Sequence, residues 1–293
     1  MVSDHLPYVV SSDISLLLKR WTQSAGLTMP KASFLQNLRD EFETVMRQIF
    51  PNFDFIDEGE LVSGMAEHIQ TVGMPCITLD LVYSPGPASL EFTRTVDSEG
   101  NDTGIQPRGN APSVDIQLQK IQKLGITGDV VLADDVLFTG SLLDVTIKVL
   151  DVIGISVCGL VAGIGIGDGI EYAKSIGLEV YAVREYKNGV IDEVCERDFY
   201  PGIPLCGRSI PGPGNFGMPY LLPFGKPEDW ASIPKESTVS FSKFCIKQSI
   251  KLFTEIENLS NKTILCASLE RRVHLLSNSD RFVNALYAQY EQL

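Results

Sequence analysis

The stretch Val130-Val131-Leu132-Ala133-Asp134-Asp135-Val136-Leu137-Phe138-Thr139-Gly140-Ser141-Leu142 decides how the rest of the chain is read. Its apolar start predicts a buried strand over Asp129–Ala133, and the apolar periodicity from Leu142 onward predicts a helix over Ser141–Ile153. The strand ends in two adjacent carboxylates, a short turn follows, and the helix opens on small hydroxyl-bearing residues. In a parallel α/β sheet, ligands gather beyond the carboxyl ends of the strands. Asp134 and Asp135 stand at that edge and are suited to accept hydrogen bonds from two neighbouring hydroxyls, such as the 2′ and 3′ groups of a ribose. The turn Phe138–Ser141 would present backbone N–H groups at the positive end of the next helix, where a phosphate is stabilised. A side chain at Gly140 would bar the backbone from a phosphate oxygen.

Outward from this stretch the element order is regular. Ser156–Ala162 and Glu179–Val183 read as strands, and Ser113–Leu124 and Gly169–Ser175 as helices. Strands apolar on both faces that alternate with helices predict a parallel sheet covered on both sides. Upstream, Ile14–Leu18 opens a helix, and the stripe through Phe34, Leu38, Phe42 and Val45 predicts another over Lys31–Ile49, ahead of Pro51. Phe53–Ile56, Cys76–Tyr83 and Leu90–Val96 read as strands. The polar, glycine-rich stretch Asp97–Ala111 predicts a long mobile loop. Downstream, the proline-rich segment Cys195–Gly225 predicts irregular chain across the sheet's end. Two amphipathic helices, Val239–Leu259 and Val273–Leu293, would form an antiparallel appendage. The expected fold class is α/β with a parallel sheet, an α/β domain over 1–225 being followed by a helical extension over 226–293.

Composition narrows the function classes. An apolar fraction of 44% and a charged fraction of 21% are those of a soluble globular protein. A net charge of −13 repels phosphate backbones and argues against nucleic acid as a partner. Any phosphate site must therefore be made locally, from backbone N–H groups and a few arginines. The six cysteines form no C-x-x-C pair and the three histidines are scattered, which gives no zinc pattern. Free thiols point to a reducing, cytoplasmic compartment. The N-terminus around Asp4 and His5 lacks a signal-peptide pattern. The uncharged stretch Val152–Gly167 is too short and glycine-rich to span a membrane.

The segment Val130–Leu142 resembles the phosphoribosyl pyrophosphate (PRPP) motif of the type I phosphoribosyltransferases: four apolar residues, two acidic residues, then Thr-Gly and a hydroxyl-rich turn. The resemblance covers about Ser113 to Val183. It implies a fold of that family and a glycosyltransferase of nucleotide metabolism, which moves a phosphoribosyl group from PRPP to an unidentified, nucleobase-like acceptor with magnesium. It implies that Asp134 and Asp135 hold the ribose hydroxyls, and that Val136, Phe138, Thr139, Gly140 and Ser141 surround the 5′-phosphate. Magnesium would bridge the pyrophosphate to the ribose oxygens.

Departure of pyrophosphate needs a cation where negative charge grows, so Arg108 joins Asp135 as a candidate catalytic residue, with Arg94 behind it. The stretch Asp97–Asn110 matches in character the flexible loop that closes over substrate in that family. One position departs: Leu142 stands where the family carries a threonine whose hydroxyl meets the phosphate. That departure keeps open a non-catalytic regulator that binds a nucleotide or PRPP in the same pocket. A hydrolase or kinase acting on a ribose phosphate is a third reading, although no G-x-x-x-x-G-K-[ST] loop is present. The oligomeric state stays open, a homodimer included.

Two further segments carry candidate chemistry. Gly163–Gly169 has the spacing G-x-G-x-G-x-G and not the dinucleotide fingerprint G-x-G-x-x-G, and the strand after it leads to Arg184 rather than to an acid. It predicts a tight strand-to-helix connection, with Asp168 placed to position a base or a metal-bound water. In Cys195-Glu196-Arg197-Asp198, Arg197 and Asp198 either read the polar edge of an acceptor or pair internally. Cys195 has no histidine near it that would make it a nucleophile.

Overall fold

Val130–Ala133 and Leu160–Ile164 offer water almost no polar face, and both become inner strands of a parallel sheet. A computed structural model describes residues 5–293, so the expectation about an N-terminal leader rests partly on residues 1–4, outside the described residues. In chain order the elements are β1 (Tyr8–Ser11), α1 (Ile14–Ala25), α2 (Ala32–Ile49), β2 (Phe53–Ile56), α3 (Glu58–Val72), β3 (Cys76–Thr78), β4 (Phe92–Val96), β5 (Asp102–Pro107) and α4 (Val114–Lys123). There follow β6 (Gly128–Leu137), α5 (Ser141–Asp151), β7 (Ile155–Ile166), α6 (Gly167–Ser175), β8 (Glu179–Tyr186), β9 (Asp192–Cys195), β10 (Arg208–Ile210) and β11 (Phe216–Met218). The chain closes with α7 (Pro227–Ala231), α8 (Thr238–Ser260), β12 (Arg272–Val273) and α9 (Phe282–Gln292). By contacts these residues form two units, one of 56–93 with 105–190, the other of the remaining segments up to Phe55, 94–104 and 191–293. The expected division at residue 225 falls inside the latter.

The unit of 56–93 and 105–190 is built on a parallel sheet of order β3-β6-β7-β8. Leu132, Leu160, Ala162 and Ile170 join Leu143 and Leu150 of α5 in one buried cluster, and α3 packs on β7 and β8. Burying this apolar area is the main stabilising contribution.

Both inner strands outrun their expected ends. β6 continues through Asp134 and Asp135, and β7 through Gly163 and Gly165, because they keep pairing with each other at Asp134↔Ala162, Val136↔Ile164 and Leu137↔Gly165. Glycine is required there by packing. A Cβ on Gly163 would lie 2.8 Å from the Asp135 carbonyl oxygen, and one on Gly165 would lie 2.8 Å from the Ile170 side chain. The glycine-rich run is thus strand end and helix start, with no separate connecting turn. The strand expected over Cys76–Tyr83 stops at Thr78, and α3 was not foreseen.

The long mobile loop expected over Asp97–Ala111 is a tight connection between the neighbouring strands β4 and β5. The Asp97 carboxylate accepts the N–H groups of Glu99 and Asn101 at 2.9 Å each, and Gly100 supplies the positive φ of +78° that closes the turn.

In the other unit, β1 lies between β2 and β9, and Thr95 of β4 pairs with Ser209 of β10 beside β11 and β12. Here the C-terminal helix α8 packs its buried face into the unit's core. Phe253 packs against Trp21 at 5.7 Å and Phe282 at 4.7 Å between ring centroids, and Phe241 meets Phe199 at 5.0 Å. The helix expected over Val273–Leu293 begins only at Phe282. Arg272 and Val273 pair with β11 as a strand, and the turn-forming run Ser277-Asn278-Ser279-Asp280 separates the two. All six cysteines are free thiols. Among the described residues no helix is long and apolar enough to cross a membrane.

Because Phe282 is fully buried, Phe282→Ala should cost about 3–5 kcal/mol in urea unfolding. A loss under ~0.5 kcal/mol, as at an exposed position, would contradict this packing.

Candidate functional site

Neighbouring residues on a strand face opposite sides, which is why Asp134 is buried at 8% exposure and Asp135 only half-buried. Each carboxylate holds the next backbone N–H: Asp135 donates to Asp134 Oδ1 at 3.1 Å, and Val136 to Asp135 Oδ1 at 2.9 Å. Burial pushes the Asp134 carboxyl well above the usual carboxylate range, and the nearby charges of Asp135 and Asp80 push it further. The Asp135 N–H and the Arg108 guanidinium pull the other way. The structure therefore brings Asp134, Asp135 and Arg108, all singled out in the sequence, into one electrostatic neighbourhood. Arg108 is half-buried just beyond β5, with its own N–H donated to the Glu91 carbonyl at 2.9 Å.

Asp80 is a member of this neighbourhood that the sequence reading missed. It is 2% exposed, and its carboxylate accepts the N–H groups of Val82, Tyr83 and Ser84 at 2.7, 2.6 and 2.6 Å. One buried carboxylate thus organises the chain just after β3. That loop is closed at its neck by Thr78, whose N–H reaches the Ala88 carbonyl and whose carbonyl accepts from Leu90, both at 3.0 Å.

Phe138–Gly140 connects β6 to α5. Gly140 is the residue before the helix, with φ +83°. That conformation favours glycine, and the Tyr172 ring adds a second reason: a Cβ on Gly140 would lie 2.3 Å from its Cδ1 atom. Thr139 and Ser141 are exposed, with the Thr139 hydroxyl donating to Ser141 Oγ at 3.3 Å, while Val136 and Phe138 are half-buried. Leu142 is half-buried and packs against the hydrophobic core, and it offers no hydroxyl to the turn. The start of α6 presses on the same turn, since a Cβ on Gly169 would lie 2.6 Å from the Phe138 carbonyl oxygen and 2.8 Å from that of Leu137. Asp168 is exposed in the first turn of α6. Arg184 is paired with Glu60. Among the described residues no three metal-ligating side chains converge as a cage.

Other candidates lie in the second unit described above. Arg197 forms a buried ion pair with Asp13 and also donates its backbone N–H to Asp13 Oδ1 at 3.0 Å. Asp198 accepts the Gly207 N–H at 2.7 Å. The structure thus shows internal contacts for both, an ion pair with Asp13 for Arg197 and a backbone N–H for Asp198. Glu196 joins them: it binds Arg39 at 3.0 Å and accepts the N–H groups of Asp13 and Ile14 at the start of α1, at 3.2 and 3.4 Å. Burial pushes the Asp13 carboxyl up to about 7, against the pull of Arg197. Arg94 acts by its charge on Asp192 and Tyr220.

Arg197→Ala would leave Asp13, fully buried, without its guanidinium. The expected cost is about 3–5 kcal/mol in chemical denaturation. A loss below about 1 kcal/mol, the size of a surface pair, would mean that the cluster does not pin the 195–207 segment.

No family model matches this sequence, and no curated protein does. Solved structures with a partial likeness include the orotate phosphoribosyltransferase of Aeropyrum pernix, at 15% identity over 44% of this chain and 70% of that one, with a TM-score of 0.26. The adenine phosphoribosyltransferase of Thermoanaerobacter pseudethanolicus shares 14% identity over 43% of this chain and 78% of its own, with a TM-score of 0.29. The orotate phosphoribosyltransferase of Mycobacterium tuberculosis, in complex with inorganic phosphate, shares 14% over 43% and 68%, with a TM-score of 0.27. Scores this low carry no argument about the chemistry of this chain.

Proposed function

We propose that the carboxyl edge of β6 binds a 5-phosphorylated ribose, and that the protein transfers a phosphoribosyl group from PRPP to a nucleobase-like acceptor. The observation that carries this reading is the succession, on an inner parallel strand, of buried Asp134, half-buried Asp135 and a glycine-started helix within six residues of the first acid. Carboxylates accept hydrogen bonds from vicinal hydroxyls, and a helix N-terminus with exposed hydroxyls at Thr139 and Ser141 suits a phosphate. Arg108, whose charge already acts on Asp134, would offset the charge that develops on departing pyrophosphate.

Magnesium fits the residues present. Asp134 and Asp135 are adjacent carboxylates with a further carboxylate, Asp80, close enough to raise Asp134, and like charges held together are relieved by a divalent cation. Magnesium is commonly held by one or two carboxylates together with substrate phosphates, without a protein cage. When bound there it would stabilise negative charge on the pyrophosphate as the bond to the anomeric carbon lengthens. Asp134 and Asp135 would meanwhile orient the ribose. A non-catalytic regulator that binds a nucleotide or PRPP in the same pocket is the second reading, favoured by the packing of Leu142 into the core.

Calorimetry with magnesium and PRPP tests the site. Binding is expected, and Asp135→Asn should weaken it about tenfold or more, because hydrogen bonds to a charged partner contribute about 1.5–3 kcal/mol. Thermal unfolding of the variant should stay close to wild type. Equal affinity in wild type and variant would remove Asp135 from the site. Release of pyrophosphate with any nucleobase-like acceptor marks the enzyme; saturable binding without release marks the regulator.

A further inference from the structure

The phosphate turn has a neighbour that the proposed function does not use. Tyr172, on α6, lies with its ring against Gly140, and its hydroxyl donates a hydrogen bond to Asp144 Oδ1 in the first turn of α5. Both side chains are half-buried, at the surface where the turn meets the two helices.

The charge of Asp144 gives this contact a consequence. A carboxylate in the first turn of a helix is stabilised by the helix's positive end. The same end is where a phosphate would bind. An Asp144 carboxylate left loose near that end would therefore oppose an incoming phosphate by repulsion. The Tyr172 hydroxyl gives that carboxylate another partner, on α6. The ring fixes where the hydroxyl sits, because it fills the space that a side chain at Gly140 would take. Gly169, pressed on the Phe138 and Leu137 carbonyls, fixes α6 against the same turn.

We propose that Tyr172 is a positioning residue for the phosphate turn, holding the Asp144 carboxylate toward α6 and away from the phosphate of the ligand at the start of α5. The role rests on the reading of the β6 edge as a phosphoribosyl site. Tyr172 itself touches no ligand in this account. The hydrogen bond to Asp144, with some burial, holds the Tyr172 phenol above the ordinary tyrosine range.

The test is a double-mutant cycle on magnesium–PRPP binding, with Tyr172→Phe, Asp144→Asn and the pair combined. Tyr172→Phe keeps the ring against Gly140 and removes only the hydroxyl. It should weaken binding about tenfold, or ~1.4 kcal/mol, and the defect should shrink as salt is raised, because it comes from charge. In the Asp144→Asn background the same substitution should change affinity by less than about twofold, since no carboxylate remains to be held. A difference ultraviolet titration between wild type and Tyr172→Phe supplies a readout without ligand: in the Asp144→Asn background the Tyr172 phenol should titrate lower than in wild type.

Undiminished binding by Tyr172→Phe, with wild type binding normally, overturns the proposal. A defect that persists in the Asp144→Asn background overturns it as well, because the hydroxyl would then act by another route. Failure of the wild type to bind PRPP would instead sink the phosphoribosyl reading, and this role with it.

Discussion

The close approach of backbones at the carboxyl end of β6 constrains everything around it. Gly163 lets β7 lie against the Asp135 carbonyl, and Gly169 lets α6 press on the carbonyls of Leu137 and Phe138. Any side chain at these positions would push apart the strand that carries the carboxylates and the helix that braces the turn. Packing this tight transmits displacement, because protein interiors have few voids to absorb it. The position of Asp134 and Asp135 relative to Gly140 is therefore set by glycines in a different strand and a different helix.

Electrostatics then sharpens the picture. Placing Asp134 inside the sheet edge beside Asp135 and Asp80 is unfavourable for the free protein, since burial and like charge both oppose ionisation. Groups held in such surroundings are more often found at binding sites than in plain structural positions. The contrast with Asp13, Glu196, Arg39 and Arg197 is informative. There each buried acid faces a buried guanidinium, and the cluster pins the 195–207 segment to α1 and α2. At the β6 edge Asp134 instead feels the like charges of Asp135 and Asp80 against the charge of Arg108.

Much of this was legible in the sequence, and the gaps have physical causes. The strand, turn and helix from Val130 onward were readable because an apolar run, two acids and Thr-Gly-Ser follow one another locally. The parallel sheet was readable from three apolar strand candidates, Asp129–Ala133, Ser156–Ala162 and Glu179–Val183, that alternate with helices. Helix α3 was overlooked although Asp57 caps it through the Gly59 N–H and Gly73 ends it in a left-handed conformation; Gly59 and Gly64 dilute its periodicity. Asp80 was absorbed into a strand because Ile77–Tyr83 is almost continuously apolar, and only the folded loop shows one carboxylate collecting three N–H groups. The turn at Asp97 was mistaken for a mobile loop because the residues that bond the Asp97 carboxylate look, in sequence, like mere polarity. The Tyr172–Asp144 contact joins residues 28 positions apart, and no local pattern announces it. Leu142 was visible as a departure, but its packing against the core was not.

The central claim is that one edge, from Asp134 to Ser141, receives a phosphorylated ribose. The most direct measurement is amide nuclear magnetic resonance of the whole chain, titrated with ribose 5-phosphate in the presence of magnesium. The account predicts saturable shifts concentrated in the amides of 134–142, with the largest at Thr139, Gly140 and Ser141 and with weaker effects at Asp80 and Arg108. Saturable shifts centred on any other segment, or none at ligand concentrations up to the millimolar range, would contradict it.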